Sequence, residues 1–308
     1  MKTAQHLLVT LAAVIVLALF SVTLTNCKTR AKDEQSVTES FEETLAKAEQ
    51  GETDTDEKTL GKAEQNQTET FEETRAKAEQ GDAEAQFKLG MCYYDGSKGV
   101  VKNYAEHAQW VRKAAEQGHA AAQLILGLCY FYGTGLEKNE EDAVKWYRKA
   151  AEQENSDAQS DAQYLLGRCY ANGTGVEEDE FEAVKWFRKA AGDRNAQYEL
   201  GLCYARGFGV VKNEAEAMKW YRKAAVQGHA EALFNLGLSY DSYDKREGEV
   251  KNDLLAYQWY LLASAKGNET ARENVSKLEE KLTAEQRAEG QRLATEWQTA
   301  FEKRQAGD

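Results

Sequence analysis

The chain has 308 residues, a formal net charge of −13, a pI near 5.0 and no proline. An acidic balance of this size excludes nucleic acid and acidic lipid headgroups as direct partners, because both require a basic face that displaces counterions. Without proline no helix loses a backbone donor, so every break must come from glycine or from Asn and Asp, and the chain reads as nearly all-helical.

Residues 1–6 carry Lys2 and no acid, and Leu7 to Leu24 is an apolar run without a charge, the pattern of an export or anchor segment. Its end, Leu24-Thr25-Asn26-Cys27, resembles the lipobox of bacterial lipoproteins. That resemblance implies a signal peptide over 1–27, lipidation of Cys27, and a bacterial envelope protein facing the periplasm or the exterior. Asn26 departs from the pattern, which prefers Gly, Ala or Ser before the cysteine. The alternative is an uncleaved single-pass anchor in the inner membrane, since the run is near the minimum length for crossing a bilayer. Lys28, Arg30 and Lys32 beyond the run leave its orientation open.

Residues 28–69 read as an acidic tether. From Ala31 to Asp82 sixteen acids stand against six Lys or Arg. The string Ser40 to Gly51 returns as Thr70 to Gly81, each opening on a Ser/Thr-x-x-Glu capping box that predicts a short helix. Both end like the second helix of the repeat that follows but lack its tryptophan, and 70–82 is placed to cap the array.

Five units follow over 83–267. The first helix of each is predicted at Ala83 to Asp95, Ala120 to Tyr132, Ser160 to Asn172, Arg194 to Arg206 and Ala230 to Ser242. Ala85, Leu89, Gly90, Cys92 and Tyr93 recur with their counterparts on one side, the core side. The mid-helix glycines, Gly90, Gly127, Gly167, Gly201 and Gly237, cost about 1 kcal/mol each against alanine, which requires a close helix approach there. Glycine ends four first helices (Gly96, Gly133, Gly173, Gly207). The second helices are predicted to start at Asn103, Asn139, Asp179, Asn213 and Asn252, residues that accept hydrogen bonds from first-turn amides. Each then carries a tryptophan, Trp110, Trp146, Trp186, Trp220 or Trp259, at helical spacing from alanines, and the indole is expected to pack among them. Successive Leu-Gly pairs are 37, 40, 34 and 36 residues apart, with the surplus at turns such as Glu154 to Gln159. Residues 268–308 break the rhythm with two longer helices, Glu269 to Lys281 and Thr283 to Lys303, suited to a polar-faced end cap.

The string Ala-x-Ala-Gln-x-x-Leu-Gly-x-x-Tyr-x-x-Gly-x-Gly-Val, followed by Ala-x-x-Trp-Tyr-Arg-Lys-Ala-Ala-Glu-Gln-Gly, resembles the Sel1-like repeat family, relatives of the tetratricopeptide repeats. The resemblance covers about 83–267 five times over. It implies an all-α fold, an α/α solenoid of antiparallel helix pairs in a right-handed superhelix, and a role as an adaptor that assembles protein complexes, often in bacterial envelopes. The proline that commonly follows Gly-Val in that family is absent here, where Val101, Glu137, Glu177, Val211 and Lys251 stand instead.

No catalytic, cofactor-binding or metal-binding constellation is legible. Cys92, Cys129, Cys169 and Cys203 occupy one repeat position a full unit apart, too far to share a zinc or form a disulfide, and lie on the core face. Unpaired thiols suit a reducing compartment, an argument for a cytosolic adaptor beneath an uncleaved anchor. Cysteine-rich relatives are sometimes linked to a β-lactamase-like activity, which makes a cell-wall hydrolase the rival function. Ser242-Tyr243-Asp244-Lys245 spells Ser-x-x-Lys, but Ser-Asp-Asn and Lys-Thr-Gly are absent. His119 and His229 share a turn position and have no partner acid in the sequence pattern.

What remains is a stripe on the first helices whose residues change from unit to unit: Lys88, Met91 and Asp95; Ile125, Leu128 and Tyr132; Leu165 and Arg168; Glu199 and Arg206; Asn235. In the resembled architecture the first helices line the concave side, so the stripe is the candidate seat for a protein or peptide partner. The competing reading is that its apolar members extend the inter-repeat core.

Overall fold

A computed structural model describes residues 70–154, 156, 158–243 and 250–306, all of which belong to one compact unit. The proposed signal or anchor segment, Cys27, the tether with its Ser40 capping box, and Asp244 and Lys245 of the Ser-x-x-Lys string lie outside them.

Among the described residues the chain forms thirteen α-helices, one short 3-10 turn at Ser97–Gly99 and no strand. They are α1 (Phe71–Glu79), α2 (Ala83–Asp95), α3 (Tyr104–Glu116), α4 (Ala120–Tyr132), α5 (Glu140–Ala151), α6 (Ala158–Asn172), α7 (Glu180–Lys189), α8 (Arg194–Arg206), α9 (Glu214–Val226), α10 (Ala230–Tyr243), α11 (Val250–Ala265), α12 (Glu269–Glu279) and α13 (Ala284–Ala306). Each packs mainly on its neighbours in the chain, α2 on α3, α3 on α4 and so on to α12, while α13 returns to α11. This is an α solenoid, in which every unit rests on the next.

Local chemistry sets the boundaries. The side-chain oxygens of Asn103, Asn139, Asp179 and Asn213 accept the third amide of α3, α5, α7 and α9 at 2.9 to 3.2 Å. The fifth second helix starts earlier than expected: α11 begins at Val250, and Asn252 falls inside its first turn. Gly133 closes α4 with φ +76°, its N–H donating to Cys129 O at 2.8 Å, a left-handed conformation that a side chain would strain. Thr283 and Gln286 form a reciprocal capping box ahead of α13, at 2.9 and 3.3 Å.

Inside each pair the two helices meet where the sequence places a bare backbone. A β-carbon on Gly127 would stand 2.6 Å from Tyr147 Cδ1, and one on Gly167 2.6 Å from Phe187 Cδ1. Tyr221 and Tyr260 lie against Gly201 and Gly237 in the same way. In α5, α7, α9 and α11 the aromatic seated on the glycine is thus the residue after the tryptophan, and the expectation that the indole is buried holds only for Trp186 and Trp259. Trp110, Trp146 and Trp220 are half-buried, while Trp186 and Trp259 are buried. The lysine three residues on lies over the ring, Lys113, Lys149, Lys189 and Lys223 at 3.7 to 3.8 Å from the centroids. An ammonium over the indole face is attracted by the ring's negative quadrupole. At α11 Leu262 replaces the lysine, and Trp297 of α13 meets Trp259 edge-on at 5.9 Å.

Between units the side-chain hydrogen bonds recur with the repeat. Gln123 donates to Ala115 O at 3.2 Å, and Gln153 donates to Gly118 O at 3.2 Å and Gln123 Oε1 at 3.4 Å. Gln227 repeats the pattern on Gly192 O and Gln197 Oε1, at 2.9 and 3.0 Å. Arg148 donates to the hydroxyl of Tyr170 in the next unit at 2.6 Å, and Arg112, Arg188 and Arg222 do the same to Tyr130, Tyr204 and Tyr240. Side-chain amides thereby carry the hydrogen bonds that helix termini leave open.

Candidate partner-binding surface

The stripe on the first helices divides in two. Ile125, Leu128 and Leu165 are 1%, 1% and 4% exposed, and Arg168 is also buried. They have no surface to offer, because α4 and α6 touch one another across the unit boundary, and they leave the candidate partner site for the inter-repeat core. Tyr132 is half-buried beside Phe131, with ring centroids 5.0 Å apart. Lys88, Met91 and Asp95 on α2, Glu199 on α8 and Asn235 on α10 keep partial access, and Arg206 is exposed. The accessible stripe is therefore concentrated at its two ends.

Three of these residues have polar partners. Lys88 Nζ lies 3.5 Å from Glu84 Oε1, Asp95 Oδ1 accepts the Ser97 amide at 2.7 Å, and Asn235 donates to Tyr198 OH at 3.2 Å. Glu84 also accepts from His119 Nε2 at 2.8 Å, and that hydrogen bond holds its carboxyl below the usual carboxylate range. His119 thus has a partner acid, which corrects the sequence reading. Its Nδ1 accepts the Ala122 amide, so it caps α4, and the ring stacks on Phe87 at 4.7 Å. His229 caps α10 through Ala232 and stacks on Tyr198 at 4.4 Å. Glu231 stands 3.4 Å from it, but burial pushes the ring down to about 3, so it is neutral and no ion pair forms.

One constellation escaped the sequence reading. His107 is buried between Gly90 and Cys129, with Nδ1 2.9 Å from Gly90 O and Nε2 3.5 Å from Cys129 Sγ. Nδ1 carries the proton toward the carbonyl, which leaves Nε2 to accept from the thiol. Burial pushes His107 down to about 4 and Cys129 up to about 12, so the pair is imidazole and thiol rather than imidazolium and thiolate, the reverse of what a cysteine nucleophile needs. The signal was available: His107 occupies the position held by Ala143, Ala183, Ala217 and Ala256 in the other units. The same buried first-helix position holds Cys92, Cys129, Cys169 and Cys203 as free thiols. Among the described residues no group of His, Cys, Asp and Glu is arranged to hold a metal ion, and no helix is long and apolar enough to cross a membrane.

Repeated helix pairs with a fixed core and a varying outer stripe define the class, an α solenoid of the kind that binds other proteins along its length. The Sel1 repeat matches residues 83–119, 120–155, 160–192, 194–229 and 230–268, and the chain belongs to the Sel1 repeat family, whose repeats are generally protein-interaction modules. It is similar to a protective antigen present in uropathogenic Escherichia coli strains that displays an SLR fold, at 36% identity over 68% of this chain and 44% of that one, with a TM-score of 0.62. The chain thus spans under half the length of that protein. A Sel1 repeat protein from Oxalobacter formigenes is 35% identical over 70% of this chain and 86% of its own, with a TM-score of 0.57. No curated protein matches the chain.

Proposed function

We propose that the protein is a non-enzymatic adaptor of the bacterial cell envelope, lipidated at Cys27, that presents the accessible ends of its first-helix stripe to a protein partner. The observation that carries this reading is the contrast within α2, α8 and α10. Leu89, Leu200 and Leu236 repeat and are buried, while Lys88, Met91, Asp95, Glu199, Arg206 and Asn235 differ from unit to unit and keep solvent access. A surface that varies where the scaffold does not is the economy expected of repeat proteins that bind. Mixed charge and one thioether favour a peptide with both apolar and polar groups over a purely charged ligand.

The state of the thiols removes an objection to export. Cys129, Cys169 and Cys203 are buried, and burial pushes each up to about 12, so they present neither thiolate nor surface to an oxidant. An oxidising compartment is compatible with them.

Photo-crosslinking residues placed at Met91 and Arg206, with Lys145 on the outer face of α5 as control, test the surface in cells. A discrete adduct from the first two positions and none from Lys145 is expected; adducts from Lys145 alone would overturn the assignment. Mass spectrometry of the mature amino terminus tests the tether, with an acylated Cys27 expected and an intact residue 1 the contrary result.

A further inference from the structure

The loops that join the two helices of a unit share one edge of the solenoid, and each of three successive loops rests on the start of the second helix before it. A β-carbon on Gly135 would stand 1.8 Å from Tyr104 O, one on Gly175 2.2 Å from Glu140 O and one on Gly209 2.2 Å from Glu180 O. The Gly209 amide also donates to Glu180 Oε2 at 3.0 Å. The starts of α3, α5 and α7 therefore alternate with the loops of the second, third and fourth units along a single edge.

That edge holds apolar side chains in water. Among the described residues five large apolar side chains are exposed, and four of them, Val101, Tyr104, Phe181 and Val211, lie here, Phe181 at 70% and Val211 at 87%. Scattered singly they would need no explanation, but their grouping on one edge does. Val101 and Val211 hold the loop position that Glu137 and Glu177 hold in the two units between them. The edge thus runs from apolar to acidic to apolar: Val101 and Tyr104, then Glu137, Glu141, Glu177 and Glu178, then Phe181 and Val211, all of them exposed. The acidic part opens on a cleft of about 820 Å³ whose walls include Glu140, Glu141, Val176 and Glu177. Lys138, in the same wall, is already paired with Glu140 at 2.8 Å.

We propose that this loop edge is a docking surface for a segment of another protein that has a basic centre and an apolar side chain on either side of it. Charge selects the occupant. Cations seated over the cleft come within a Debye length of its carboxylates, about 8 Å at physiological salt, and the net charge of −13 adds attraction at longer range. A second copy of this chain would set the same acids against one another. Phe181 and Val211 at one end, with Val101 and Tyr104 at the other, supply the apolar anchors that fix the register of the segment. This surface is separate from the stripe on the first helices, and its occupancy does not depend on what that stripe binds.

The probe that tests this is a fluorescein-labelled peptide of consecutive lysines with a phenylalanine at either end, its binding to the full chain read by anisotropy. It is expected to bind about tenfold more tightly than the same peptide with serine for phenylalanine or glutamate for lysine, and to weaken as salt is added. Phe181→Ser with Val211→Ser, and separately Glu141→Gln with Glu177→Gln, should each lower its affinity about tenfold. Glu296→Gln with Glu302→Gln, at exposed acids of α13, should leave it unchanged. All these side chains are exposed, so each variant is expected to keep the circular dichroism of the parent. If the α13 pair lowers affinity as much as the Glu141 pair, binding is diffuse attraction to an acidic chain and the proposal fails. It fails too if the Phe181 pair leaves affinity unchanged or the glutamate peptide binds equally well. A parent dimer in light scattering that the Phe181 pair dissolves would also overturn it, since the occupant is then a second copy.

Discussion

Tyr147 lies against Gly127, so close that a β-carbon on that glycine would stand 2.6 Å from both Cδ1 and Cε1 of the ring. Intrinsic propensity favours Gly127→Ala by about 1 kcal/mol, and overpacking opposes it by about 1 to 3 kcal/mol. Overpacking should win, because the ring is enclosed and Ala143 O stands 3.2 Å from the same point. Urea denaturation of Gly127→Ala is expected to show a lower midpoint, and Gly127→Ala in a Tyr147→Leu background should show little or no further loss. An additive pair would mean that the two residues do not meet.

The tryptophan and its neighbour should separate cleanly in α5. Tyr147 is 1% exposed and Trp146 is half-buried under Lys149. Tyr147→Ala is expected to cost about 3 to 5 kcal/mol, as for other large buried side chains, and Trp146→Ala clearly less. Lys149→Met, which keeps the stem and removes the charge, should cost no more than about 1 kcal/mol. Thermal and urea unfolding of the three variants measures the order, and equal losses for Trp146→Ala and Tyr147→Ala would contradict the packing described.

Much of this fold is legible in the chain because each boundary rests on a residue with one local job: a glycine that ends a helix, an Asn or Asp that starts one. The first-helix ranges agree with α2, α4 and α8 to the residue and with α6 and α10 to within two. What the period does not reveal is depth. Positions 146 and 147 are 100° apart on one helix, and which of them is covered depends on where the partner helix exposes its backbone at Gly127. For a related reason the sequence leaves two readings of the stripe open, and burial decides for the inter-repeat core at its apolar members. The contact of α4 with α6 that buries Ile125, Leu128 and Leu165 lies between units, and periodicity within one unit carries no trace of it.

The first unit solves the same packing problem with different residues. Where the second has Ala143 and Tyr147, the first has His107 and Val111, so a large ring and a small side chain have changed places over one helical turn. His107→Ala and Val111→Tyr should each destabilise, the first by leaving a cavity and removing the hydrogen bond from Nδ1 to Gly90 O, the second by overpacking. Together they restore the arrangement of the second unit, and the double variant should recover most of the combined loss. A double-mutant cycle on unfolding free energies measures the coupling, and a coupling near zero would refute the exchange.

His107 also ties stability to pH, with a definite sign. Its folded pKa is about 4, below the ordinary value of 6.5, so the folded chain holds it neutral while the unfolded chain takes up a proton first. The stability it contributes is complete above pH 6.5, declines as pH falls, and is gone once pH has passed through about 4. The gap of two to three units corresponds to about 3 kcal/mol for a group this well enclosed. Glu84, lowered by His119, loses its contribution only below the ordinary carboxylate range, so the two effects separate along the pH axis. Melting temperatures taken from pH 7.5 to 4 should fall for the parent chain, and the fall should be shallower in the His107→Ala, Val111→Tyr variant. His229, pushed down to about 3 by burial, acts in the same direction and leaves the variant a residual slope. Identical slopes for both proteins would show that His107 carries no proton linkage.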